Sequence, residues 1–232
     1  MTNDAPKIAA SVYGGGQDGH VRRDTKVTVN NGEIGLDYDA DNQEALGTAN
    51  INDDQWLARG NVYGGGSGIT QYTSTLQYKD GTPEAEKIPT TGYSSSSGSV
   101  TRFTEVNVLG GIVHRNVYGG GSLGSVGAPD LGQGYDLYKK DLSEGNKANW
   151  GKQSQCSVKI SGQIGTVVSS RSQYGGDVFG ACRGTTSLDA TQFGTSIWTN
   201  VHILNGATIF GNVFGGGDAG IVKKNAEVVI GE

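Results

Sequence analysis

The sequence predicts an all-β protein, a parallel β-helix (β-solenoid) of about five coils with three short strands per coil and long inserted loops. Three observations lead there. A Val-Tyr/Phe-Gly-Gly-Gly motif recurs along the chain, an alternating apolar strand follows each copy, and a glycine turn leading to an isoleucine follows most of those strands. Self-similarity of this kind marks a stacked architecture in which each unit contacts mainly its neighbours.

The first element of the unit is the motif itself. It occurs as Val12–Gly16, Asn61–Gly66 and Asn116–Gly121, in degenerate form as Asp177–Cys182, and again as Asn212–Gly217. Its glycines read as corner residues, supplying positive φ and close backbone approach. The second element is Thr25–Val29, with later copies at Thr104–Val108, Cys156–Ile160, Asn200–Ile203 and Ala226–Ile230. Apolar and polar residues alternate in it and β-branched residues abound, which is the pattern of a half-buried strand. The third is a glycine turn with a further short strand around Ile34, Ile112, Ile164 and Ile209. Three strands per repeat, closing on themselves, make one coil of a parallel β-helix.

Spacing supports the same architecture. From Val12 through Val62, Val117 and Val178 to Val213 the steps are 50, 55, 61 and 35 residues, too uneven for a propeller or leucine-rich array. A β-helix accommodates the spread, because insertions leave the coil as loops and each doubling of loop length costs only about 0.6 kcal/mol. The insertions fall at about 37–59, 72–99 and 128–155 and are expected to leave related corners and share a lateral face; a short helix is expected near Asp53–Leu57. In register, coils about 4.8 Å apart would stack like residues in ladders. Tyr13, Tyr63, Tyr118, Phe179 and Phe214 form one such ladder, Asn61, Asn116, Asp177 and Asn212 another. Val12, Val62, Val117, Val178 and Val213 form a third. Alternation opposes the valines to the aromatics and leaves open which of the two faces the core.

Composition narrows the class. Of 232 residues 40 are glycine, where average usage would give about 16. Only 4 prolines and no Gly-x-y period exclude collagen, and ordered alternation argues against simple disorder. The net charge of −5 and the absence of a basic run longer than two residues exclude a nucleic-acid footprint. No apolar run approaches 18 residues, so no membrane span is expected in this segment. The pattern begins at Val12 and stops at Val228–Glu232 in mid-unit. It is therefore expected to be a single β-helix segment, 1–232, of a longer protein, with export signal and anchor outside it.

The candidate chemistry is sparse. A phosphate loop would need a helix start with Lys-Ser/Thr after the glycines; Gln17-Asp18, Ser67-Gly68, Ser122-Leu123 and Asp218-Ala219 stand there instead. Asp37, Asp39 and Asp41 open like a calcium loop and are the metal candidates, with Ca²⁺ the fitting ion and Asp53 and Asp54 near enough to join. Asn42 and Thr48 replace the glycine and the acid that an EF-hand requires, which favours a solvated acidic loop. Lys26, Glu105, Lys159, His202 and Glu227 are read as one position of successive coils, a charge ladder supporting register. Cys156 shares strand parity with Val158 and Ile160 and is expected to point inward; a disulfide with Cys182 is not favoured. Exposed aromatics in the insertions, Tyr72, Tyr78, Tyr93, Tyr135, Tyr138 and Trp150, suit sugar stacking or protein contact.

From Val12 to Ile230 the repeated units resemble the glycine-rich repeats of large adhesin-like surface proteins of Bacteroidota. The resemblance implies a parallel β-helix, display at the cell surface or secretion, and an adhesive or scaffolding role toward a host or bacterial surface glycan or protein. It brings no catalytic residues, and Ala181-Cys182 departs from its motif. Three functions are therefore carried forward: a non-catalytic adhesin or stalk, a carbohydrate-active β-helix of lyase or glycoside-hydrolase type, and a scaffold that self-associates end to end through exposed terminal coils.

Overall fold

The computed structural model describes residues 5–35, 59–68, 72–74, 90–92, 97–127, 155–166, 176–186 and 193–231. Among them there is no helix. The chain opens with β1 (Lys7–Ile8), and the first full coil runs through β2 (Val12–Tyr13), β3 (Thr25–Val29) and β4 (Glu33–Ile34). The second holds β5 (Val62–Tyr63), a side hairpin of β6 (Tyr72–Ser74) and β7 (Thr90–Gly92), then β8 (Thr104–Val108) and β9 (Ile112–Val113). The third comprises β10 (Val117–Tyr118), β11 (Gln155–Ile160) and β12 (Gln163–Ile164). The fourth comprises β13 (Val178–Phe179), β14 (Thr195–Ser196), β15 (Trp198–Ile203) and β16 (Thr208–Ile209). The fifth holds β17 (Val213–Phe214), β18 (Ile221–Val222) and β19 (Ala226–Ile230).

Three five-stranded parallel sheets run the length of the stack: β1-β4-β9-β12-β16, β2-β5-β10-β13-β17 and β3-β8-β11-β15-β19. This is a parallel β-helix, as the periodicity predicts. A fourth, thinner ladder was not legible as a strand. Val21, Val100 and Val126 are joined by single parallel bridges, and β14 pairs with β18. Its trace in the sequence is an aliphatic residue four positions before the long strand, as in Val21/Thr25, Val100/Thr104 and Val222/Ala226.

The valines of the motif face the bore. Val62, Val117 and Val178 join Val27, Val106, Val158, Val201 and Ile164 in one buried core. The aromatics lie on the opposite side and form a separate buried cluster of Tyr63, Tyr118 and Phe179. A third small core, Val100, Val126, Cys156 and Cys182, sits behind the motif corner with Val21 against it.

Register corrects two expectations. Ile34 stacks on Val113, then Ile164 and Ile209, while Ile112 falls outward opposite Glu33 and Gln163. The doublet Gly110-Gly111 is the cause: Gly111, with φ +72, occupies the turn position of Gly32, with φ +104, so the strand begins one residue later. The charge row also splits. Lys26 aligns with Glu105, Ser157, Asn200 and Glu227, whereas Lys159 and His202 align with Thr28, Asn107 and Val229. Both rows point outward, since residues two apart share a face.

The motif glycines have a narrower purpose than expected. None of those at 14–16, 64–66, 119–121 or 215–217 has positive φ. They are needed for contact. A Cβ on Gly14, Gly64, Gly119 or Gly180 would strike the carbonyl oxygen of the matching residue one coil on. That carbonyl is also held by a threonine: Thr25 Oγ1 donates to Gly64 O (2.5 Å), Thr104 to Gly119 O (2.6 Å) and Thr199 to Gly215 O (2.5 Å).

Candidate functional site: insertion roots and outer faces

Positive φ belongs to a different set of glycines, those at the roots of the insertions. Four insertions begin and end on a glycine pair in contact. They are Gly35/Gly60 (φ +91 and +74), Gly68/Gly98 (+72 and +65), Gly165/Gly176 (+83 and +99) and Gly184/Gly194 (+75 and +63). A Cβ on Gly35 would come within 2.6 Å of Gly60 Cα, and one on Gly194 within 2.6 Å of Gly184 Cα. At each of these four roots the chain closes on itself through a pinch that only glycine fits. The expected common corner is not observed. The chain leaves between β4 and β5 and, two coils on, between β12 and β13. It leaves behind the motif at Gly68 and again two coils on at Gly184. It leaves between Val126 and β11 once. The chain therefore departs from the coils at three different corners.

The aromatic ladder stands as expected. Tyr13, Tyr63, Tyr118, Phe179 and Phe214 stack with centroids 4.7, 4.8, 4.9 and 4.9 Å apart and rings nearly parallel. Burial raises the Tyr63 hydroxyl far above its ordinary range. It pushes Tyr118 up to about 12, against a hydrogen bond from Asn116 Nδ2 at 3.1 Å. Beside the rings, side-chain oxygens clamp successive coils: Ser11 Oγ accepts Asn61 N–H, Asn61 Oδ1 accepts Asn116 N–H, and Asn116 Oδ1 accepts Asp177 N–H, each at 3.1 Å. Asp177 Oδ1 accepts Asn212 N–H at 2.6 Å. These groups spend their hydrogen-bonding capacity on the stack.

The outer face of the long-strand sheet carries the ionisable groups. Lys26 Nζ meets Glu105 Oε1 at 3.0 Å, and Asn107 Nδ2 donates to the same oxygen. The Asn107 bond, with Lys26 behind it, holds Glu105 below the ordinary carboxylate range. On the neighbouring sheet Glu33 is lowered chiefly by Lys7 at 3.1 Å, with His114 Nε2 at 3.6 Å from its other oxygen. Asn200 Nδ2 donates to Glu227. Glu105 and Glu227 are three coils apart, about 14 Å. Carboxylate pairs that hydrolyse glycosides stand about 5–9.5 Å apart, so these two do not form one.

Cys156 is inward, as its parity predicts. Both cysteines are buried free thiols that share Ser196, whose Oγ lies 3.5 Å from Cys156 Sγ and 3.1 Å from Cys182 Sγ. Burial pushes Cys156 up to about 12 and raises Cys182 too, so both stay protonated near neutral pH. Cys156 stands where other coils have the clamping threonine, and Cys182 where they have the third glycine. The corner keeps its course regardless, with Gly120 N–H bonded to Ala181 O at 3.1 Å as Gly15 is to Gly65.

Of the proposed ligand-contacting residues, Tyr72 begins β6, paired with Gly92 of β7. Tyr78, Tyr93, Tyr135, Tyr138 and Trp150 lie outside the described residues, as do Asp37, Asp39, Asp41, Asp53, Asp54 and the segment expected to be helical. Among the described residues no three His, Cys, Asp or Glu come together to hold a metal ion, and no helix is long and apolar enough to cross a membrane.

Fold and outer faces define a β-solenoid whose strands are engaged in stacking and four of whose insertions begin and end on glycine pairs. Comparison with known proteins found no matching family model, no matching curated protein and no matching solved structure.

Proposed function

We propose that the chain is a non-catalytic repeat segment, displayed at a cell surface or secreted, that acts as an adhesin or structural stalk. Its inserted loops contact a surface glycan or protein. The observation that carries this reading is the set of glycine pinches. Eight glycines in left-handed conformation let four insertions leave and re-enter without opening a coil, which is the geometry of a rigid support bearing variable loops. Tyr78 and Tyr93 in the insertion rooted at Gly68 and Gly98, with Tyr135, Tyr138 and Trp150 in the insertion that follows Gly127, give flat faces for sugar rings or partner side chains.

A glycan array, run on the chain and on the Tyr135→Ala/Tyr138→Ala/Trp150→Ala triple variant, tests it. Binding to one glycan class that the triple variant loses supports loop-mediated adhesion. Binding that survives the variant, or shortened glycan products on the array, contradicts it, the second outcome in favour of a carbohydrate-active β-helix.

A further inference from the structure

We propose that the outer face of β11 and β15, inside the long-strand sheet, binds an acidic polysaccharide, a linear chain of pyranose rings bearing carboxylates. The inference goes beyond the loop-mediated reading, because it puts the ligand on strands of the stack itself.

The first argument is register. β11 is flanked by β8 and β15, and β15 by β11 and β19, so what these strands expose does not come from an uncovered coil. Along both strands alternate residues are buried: Cys156, Val158 and Ile160 in one, Thr199, Val201 and Ile203 in the other. The remaining residues face outward in three matched pairs, Gln155 with Trp198, Ser157 with Asn200 and Lys159 with His202. They form a strip one coil rise wide, about 4.8 Å, and four residues long, roughly 13 Å.

The second argument is unspent hydrogen-bonding capacity. In the first two coils the same face is closed on itself. Lys26 meets Glu105 at 3.0 Å, Asn107 donates to Glu105, and Arg102 Nε meets Asp24 Oδ1 at 3.1 Å. On the strip, Asn200 gives its amide to Glu227. Among the described residues, the side chains of Gln155, Ser157, Lys159 and Trp198 make no hydrogen bond or ion pair.

The third is complementarity. Lys159 is exposed and is the strip's unpaired cation; the acid nearest to it, Glu105, already holds Lys26 and Asn107. A ligand carboxylate therefore meets a free ammonium with no rival anion in place. The Trp198 ring offers a flat face to the C–H side of a sugar and its indole N–H to a hydroxyl. Gln155 and Ser157 both donate and accept, as sugar hydroxyls require. Trp198 and Lys159 occupy opposite corners, roughly 14 Å apart, which is the span of about three linked pyranose rings. One ring lies on the indole, the next over Ser157, and the carboxylate of the third reaches Lys159.

Isothermal titration of the intact chain with oligogalacturonates of increasing length tests the proposal, with neutral cello-oligosaccharides and polyglutamate as comparisons. Affinity should rise steeply up to about three sugars, then level off, and fall with added salt. Trp198→Ala and Lys159→Met should each weaken binding about tenfold. Because Lys159 is exposed, Lys159→Met should keep the parent's urea unfolding curve, which separates a lost contact from a lost fold. The Tyr135→Ala/Tyr138→Ala/Trp150→Ala variant should bind oligogalacturonate as the parent does, so this site and the loop-mediated reading stand or fall separately. No binding at any length overturns the proposal. So does equal affinity for the neutral oligosaccharide, which removes the need for Lys159, and equal affinity for polyglutamate, which points to an acidic peptide. Binding that both strand variants leave untouched overturns it in favour of another face.

Discussion

The same motif meets two fates in this molecule. In the middle coils Tyr63 and Tyr118 are 1% and 2% accessible, while at the ends Tyr13 and Phe214 are 36% and 42% accessible. Val158 and Ile160 are fully buried, and their register equivalents Val228 and Ile230 are exposed. Sequence is nearly constant across this comparison, so burial is set by having a coil on both sides. Stability in such a stack is a sum over neighbour interfaces, and a residue's worth depends on how many interfaces it touches.

Substitutions matched between middle and end sharpen the contrast. The largest effect is expected at the motif's glycines. Gly120→Ala would drive a Cβ into the sulfur and backbone of Cys182, whereas a Cβ on Gly216, the same motif position in the last coil, meets nothing within 4 Å. Gly120→Ala should cost about 3 kcal/mol or more and Gly216→Ala under about 0.5 kcal/mol, measured by urea unfolding. Next come the bore aliphatics. Ile160→Ala should cost about 2–5 kcal/mol; Ile230→Ala should cost under about 1 kcal/mol, because most of that side chain is already in water. Equal losses within either pair would break the comparison.

A smaller effect belongs to the threonine clamp. Thr104→Val keeps shape and removes the donor to the buried Gly119 carbonyl, for an expected loss of about 1–2 kcal/mol. The smallest concerns pH. Glu105, held down by Asn107 and Lys26, and Glu33, held down by Lys7, both have folded pKa values below the unfolded glutamate value of about 4.3. Their contribution is complete above that unfolded value and is lost as pH falls through the lower folded values. Because both carboxylates are partly exposed, the gain is under about 1 kcal/mol. Glu105→Gln should lower stability near pH 7 by under about 1 kcal/mol and flatten the acid limb of a stability-against-pH curve, so that variant and parent converge in acid.

The strands, the coil count and the aromatic, asparagine and valine ladders are legible because alternation and the motif fix them locally, while the charge row is not. Which side faced the bore was not, since Val62 and Tyr63 are both apolar and both buried. The slip at Ile112 came from two adjacent glycines, either of which could make the turn, and only pairing with Glu33 decides between them. The loop corners were misjudged because a corner is defined by the coil it belongs to, and the fourth ladder that separates two of them rests on single bridged residues such as Val100. The positive φ expected of the motif's glycines belongs instead to Gly35, Gly60 and their counterparts. Close approach between coils leaves no local mark that tells it from a turn. For the candidate site, the ring-bearing insertions were visible by composition alone.

The central claim is that the coils carry the fold and close across the roots of the insertions. Thermal unfolding of a chain in which residues 36–59 are replaced by a two-residue Gly-Ser link between Gly35 and Gly60 tests it most directly. The account predicts a single cooperative transition with Tm within about 4 °C of the parent, equivalent to about 1 kcal/mol, because that link spans a pinch already closed. Loss of the cooperative transition, or of the strand signal in circular dichroism, would contradict it.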